Sequence, residues 1–136
     1  MKEIKFSQLV YITGKSGLYI VINAKQDGII ARALDNNNPI FFSHRKNPYS
    51  LLENIEMYSN TSKKIYLKDL ILKMNTSSEV LPNIEDVAAI VAYFKIIEPN
   101  LNFTKIYPKD FKRTIQWFQI IKSQKIPLES NEEQSL

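Results

Sequence analysis

A chain of 136 residues that is 44% apolar and carries a net charge of +4 has a globular composition, which excludes a disordered or fibrous protein. The absence of cysteine excludes disulfide frameworks and thiolate metal sites and favours a cytoplasmic location. No apolar run approaches the roughly 20 residues that span a bilayer, and the start, with an early Glu3 and no long apolar core, is a poor signal peptide, so no membrane association is expected.

In chain order, residues 9–12 offer an edge strand, followed by TGKSG at residues 13–17. Gly-Lys-Ser ends the phosphate-binding loop of nucleotide-binding proteins. That loop needs a glycine six positions before the lysine and a helix after it. Here Leu9 holds the glycine position, and the β-branched, aromatic run at residues 18–23 reads as a strand. The segment is therefore expected to be a turn, with Gly14 and Gly17 adopting backbone angles that other residues resist, and Lys15 and Ser16 facing water. Asp27 and Gly28 signal a tight hairpin before a strand at 29–34. A turn at 35–39 leads to a strand at 40–44. The spacing of Ser50 and Glu53 suggests one helical turn. Residues 55–59 alternate like a half-buried strand, and 64–66 offer a further edge. Short antiparallel strands with short connections tend to curl into a small barrel or a sandwich.

The second half reads as helices. Leu67, Leu70, Ile71 and Met74 share one face; residues 75–82 form a loop. A second helix is expected after Asn83, with Asp86 in its first turn and Ile84, Val87, Ala88, Val91, Tyr93, Phe94 and Ile97 as its apolar positions, ending at Pro99. Ala88, Ala89 and Ala92 would let another element approach closely. A third helix starts near Pro108, with Phe111, Ile115, Phe118 and Ile121 on one face and Trp117 widening it.

No catalytic constellation stands out. His44 is the single histidine and has neither a marked nucleophile nor a cluster of acids beside it. Glu53 with Glu56, and Glu85 with Asp86, are explained by local caps rather than by paired acid–base work. No catalytic, cofactor-binding or metal-binding residue is assigned, and no cofactor is expected. The charge is uneven: residues 1–128 hold 18 basic and 11 acidic side chains, but only Arg32, Arg45 and Arg113 are arginines. Seven tyrosines and seven phenylalanines supply rings for packing or for a binding surface. Tyr19 is expected at a surface or at the contact between the halves. Lys105, Lys109, Lys112 and Arg113 flank Trp117. The candidate interaction surface is Lys15, Tyr19, His44, Arg45, Lys109, Arg113 and Trp117. It suits a noncatalytic module that binds a protein partner or itself. A nucleic-acid-binding module and a small enzyme acting on an anionic substrate are the alternatives.

The segments ITGKSGLYIVINAKQDGIIARAL, SLLENIEMYS, IYLKDLILKM and KIYPKDFKRTIQWFQII resemble an uncharacterised family of Bacteroidetes proteins, a domain of unknown function, over residues 4–124. The glycine turn followed by Leu18 and Tyr19, and the segment Ile115 to Phe118, are the most specific parts. Members often carry proline where this chain has Ser16. The resemblance implies an α+β protein: a small SH3-like antiparallel β-barrel followed by a three-helix C-terminal region. It implies no activity, cofactor or catalytic residue. The expected organisation is a barrel domain over 1–62, a helical domain over 63–126 and a disordered acidic tail over 127–136.

Overall fold

The structure is a computed structural model and describes residues 4–128. After a 3-10 turn at Phe6–Gln8, β1 (Leu9–Ile12) runs into the glycine turn and returns as β2 (Tyr19–Ala24). Gly14 and Gly17 take φ values of 88° and 74°, in the region where a side chain is disfavoured. β3 (Gly28–Ala33), β4 (Ile40–Ser43) and β5 (Tyr49–Leu51) complete an antiparallel sheet in the order β4-β3-β2-β1-β5. Gly28 serves close approach: a Cβ there would sit 2.0 Å from the Phe42 carbonyl oxygen. β6 (Glu56–Met57) and β7 (Ile65–Tyr66) form a separate two-stranded ribbon.

Two expectations are corrected. The sheet is not closed into a barrel: β4 and β5 end the strand order with no ladder between them. β5 has three residues, and all three pair with β1. The helical turn expected from Ser50 and Glu53 is displaced. Ser50 lies in β5, opposite Tyr11, and a 3-10 turn follows at Leu52–Asn54. Strand pairing and the complete burial of Leu52 outweigh the local capping pattern.

The three helices are α1 (Leu67–Thr76), α2 (Val87–Ile97) and α3 (Pro108–Ser123). In α1 the buried residues are the four expected from periodicity. α2 begins later than expected because the Asn83 side chain accepts from the Glu85 N–H (2.9 Å) and holds a turn there. Asp86 then caps the helix by accepting from the Ala89 N–H (3.1 Å). In α3, Pro108 occupies the first turn, where its missing N–H costs no helical hydrogen bond.

The buried residues form two clusters. The larger joins Phe6, Leu9, Leu18 and Leu52 of the strand half to Leu70, Ile71, Phe94, Phe111, Ile115 and Phe118 of the helices. The smaller lies within the curl of the sheet: Val10, Ile12, Ile29, Ala31 and Phe42. β1 serves both, because successive side chains point to opposite faces. Leu9 and Tyr11 face the larger cluster, and Val10 and Ile12 the smaller. No helix among the described residues is long and apolar enough to cross a membrane. The acidic tail expected over 127–136 lies outside the described residues from 129 onward, while Leu128 packs against the larger cluster.

Candidate functional site

The strand alternation that buries Val10 and Ile12 inside the sheet turns Tyr11 toward α3. There its ring meets Trp117 at 5.3 Å between centroids, with the planes tilted by 53°. One helical turn earlier, Arg113 lays its guanidinium 4.8 Å from the Tyr11 ring centroid and 6.0 Å from that of Trp117. A cation at this range is attracted by the ring faces, by about 0.5–1 kcal/mol where exposed. Among the described residues no carboxylate pairs with Arg113. Its orientation is fixed by rings, which leaves its hydrogen-bond donors for a ligand.

This triad divides two clefts. One, of about 620 Å³, lies between the glycine turn and α3 and includes Lys15, Gly17, Gln116 and Ser123. The other, of about 320 Å³, runs toward the β6 ribbon past Met57, Tyr58 and Asp110. Tyr58 and Asp110 continue into a third cleft of about 510 Å³, with Lys105 and Tyr107. The three share walls and form one groove along α3. Its aromatics repeat one pattern: Lys105 sits 5.8 Å from the Tyr58 ring centroid and Lys109 5.7 Å from that of Tyr107. Asp110 accepts from the Tyr107 N–H (3.3 Å) at the start of α3 and adds a negative charge to the groove.

Of the residues expected at an interaction surface, Lys15, Arg113 and Trp117 line the first cleft together. Lys109 lies one turn away on Tyr107. Tyr19, His44 and Arg45 lie elsewhere. Tyr19 packs edge-on against Phe42 in the smaller cluster, at 5.3 Å. His44 and Arg45 form the turn between β4 and β5. His44 sets its ring against Tyr49 at 5.1 Å, and the Arg45 N–H donates to the Ser43 hydroxyl at 3.2 Å. Tyr11, Tyr58 and Tyr107 join the site without having been singled out for it. For Tyr11 the available signal was alternation along β1, which lies between β2 and β5 rather than at the sheet edge; for Tyr107 it was its place immediately before Pro108.

Two further acids are in ion pairs: Glu56 with Lys64 at 3.4 Å and Glu85 with Lys112 at 3.7 Å. Among the described residues, no three histidines or acids come together as metal ligands would.

A solution NMR structure of a structural-genomics target from Bacteroides vulgatus is similar to this chain, with a TM-score of 0.64 and 21% sequence identity, over 90% of this chain and 89% of that one. At that identity the likeness is one of fold. No family description and no curated protein matches the sequence.

Proposed function

We propose that the protein is a noncatalytic interaction module that holds an acidic segment of a protein partner in the groove along α3. The observation that carries this reading is Arg113, set against Tyr11 and Trp117 at the junction of two clefts and, among the described residues, in no ion pair with a carboxylate. Tryptophan, tyrosine and arginine at the centre of a concave surface are the residue types that dominate protein–protein affinity. A guanidinium can grip a carboxylate through two parallel hydrogen bonds. The two ends of the groove add Lys15 and Lys105.

A protein partner fits better than a nucleic acid. The Trp117 ring is buried and the Tyr11 ring is half-covered, with Arg113 over both, so neither offers an open face for stacking a base. We read the sheet as an opened SH3-like barrel, because β5 returns beside β1 and a second core fills the curl. The fold shared with the Bacteroides vulgatus protein supports placing both in the Bacteroidetes family that the sequence resembles.

The test is affinity capture from the native cell, with nuclease, using the wild-type chain and Arg113→Gln. A stoichiometric, nuclease-resistant protein held by the wild type and lost from Arg113→Gln is expected. Because Trp117 is the only tryptophan, adding that protein should also change its fluorescence. A partner removed by nuclease, or one bound equally by Arg113→Gln, overturns the reading.

A further inference from the structure

β4 leaves one edge of the sheet unpaired. It pairs with β3 alone, and among the described residues no strand lies on its other side. The alternation of an antiparallel ladder tells which backbone groups that edge presents. The His44 N–H donates to the Asp27 carbonyl (2.9 Å), so Phe42 and Ile40, at steps of two, also turn their backbone groups to β3. Phe41 and Ser43 therefore turn theirs outward, and one step further along the chain so does the Pro39 carbonyl. Pro39 has no N–H to offer, and the Ser43 carbonyl already accepts from the Asn47 N–H (2.9 Å) in the turn that follows. The edge carries apolar side chains as well: Ile40 and Phe41 are each 50% exposed. Phe41 stands opposite Ile30, and the bulge in β2 between Val21 and Asn23 sets the equally exposed Ile22 at the far end of the same row. The strand Ile40–Ser43 has no charge, no proline and no bulge, the devices by which exposed edges avoid pairing.

We infer that β4 pairs antiparallel with β4 of a second copy, on a two-fold axis through Phe41, joining the two sheets into one. A second copy fits because the groups this edge lacks match each other. In this register Phe41 exchanges both backbone hydrogen bonds with the partner's Phe41. The Ser43 N–H donates to the partner's Pro39 carbonyl. The donor that Pro39 lacks falls opposite the Ser43 carbonyl, which Asn47 already engages, so no outward backbone group is left without a partner. Sliding two residues one way sets the Phe41 carbonyl against Pro39, which has no donor. Sliding two the other way sets the Phe41 N–H against the engaged Ser43 carbonyl. The side chains suit the same register. Phe42 faces the smaller cluster, so Phe41 lies on the opposite face, and the two-fold makes the row of Ile22, Ile30 and Phe41 continuous with its copy. On the other face Ile40 falls opposite the partner's Phe42, in the narrow pair where side chains come closest, and covers the rim of that smaller cluster. The two-fold consumes both free edges, so association stops at the dimer.

One pair of short strands buries less than the roughly 800 Å² per partner of a standard stable complex, so the dimer is weak. Sedimentation velocity from about 10 μM to about 1 mM tests it, and the wild type should pass from monomer to dimer. Phe41→Lys sets two ammonium groups against each other at the axis, and Ile40→Lys puts a charge on the partner's Phe42; each should weaken association about tenfold or more. Both side chains are half exposed, so far-UV spectra should be unchanged. Measurements on the wild type read the register without any substitution. Amide exchange at Phe41 and Ser43 should slow as the concentration rises. In a mixture of isotope-labelled and unlabelled chains, the Hα of Ile40 should show a contact to the Hα of the partner's Phe42. β4 lines none of the clefts along α3, so the dimer and the groove stand or fall separately. A chain that stays monomeric throughout overturns the inference. So does a dimer indifferent to Phe41→Lys, or one in which neither amide gains protection.

Discussion

Glu98 is a carboxylate only 5% exposed, at the C-terminal end of α2. Burial alone pushes its pKa up. The hydrogen bond from the Lys73 ammonium, the N–H of Asn100 at 3.1 Å and the Lys73 charge pull it down further, and the net shift is downward. A folded-state pKa below the unfolded one means that the fold favours the ionised form. This contribution is present above the unfolded pKa, about 4.3 for glutamate, and is lost as pH falls through the lower folded value. Glu98→Gln should therefore destabilise the protein by about 1.5–3 kcal/mol at pH 7, the scale of hydrogen bonds to a charged group. Urea unfolding at pH 7 and near pH 3 measures this. The gap between the two proteins should shrink in acid, and an equal gap at both pH values would assign the loss to packing instead. The ion pair was not readable in the sequence, because Lys73 and Glu98 lie on different helices.

At the scale of elements, strong local chemistry marked the helices, and pairing with distant strands hid part of the sheet. The four apolar residues of α1 follow the helical period. Pro108 opens α3, and Asp86 caps α2. β5 was hidden because Ser50 and Glu53 carry a capping pattern, while Ser50 actually pairs with Tyr11, far away in sequence. In β2 the apolar Ile22 is 50% exposed, at the point where the ladder to β3 shifts between Val21 and Asn23. The Asp86 cap tests whether local chemistry stabilises as well as marks. α2 has no acidic residue in its first turn, and Asp86 is its only side-chain cap. Asp86→Ala should cost about 1 kcal/mol, lowering the melting temperature by about 3–5 °C for a domain of this size. Asp86→Asn keeps an acceptor oxygen and should recover most of that loss in a thermal scan. If Asn and Ala are equally destabilising, the charge rather than the hydrogen bond is what matters.

For the whole molecule, the organising fact is the division of labour along β1. Its alternate side chains seal the curl of the sheet and anchor the sheet to the helices. The same alternation delivers Tyr11 to Arg113 and Trp117, so the groove exists because strands and helices share the larger core. The sequence set Arg113 beside Trp117 on the third helix and named Lys15 as a further candidate. It could not bring together residues about a hundred positions apart, nor tell that Tyr19 and His44 serve the sheet. The shared core also sets an expectation for unfolding. Leu52 is fully buried in the strand half, yet its turn packs against α1 as well as β1. Leu52→Ala should cost about 2–5 kcal/mol, the range for deleting a buried leucine side chain. If one core holds both halves, the loss must appear in every probe. Trp117 fluorescence reports α3, and far-UV circular dichroism is dominated by the helices. Both should shift to lower urea together with the near-UV signal of the tyrosines, although Leu52 belongs to none of the helices. A helical signal that keeps its wild-type midpoint would show that the helices fold without the sheet. Tyr11 would then meet Arg113 only by docking of two independent units, and the groove would open before either unit unfolds.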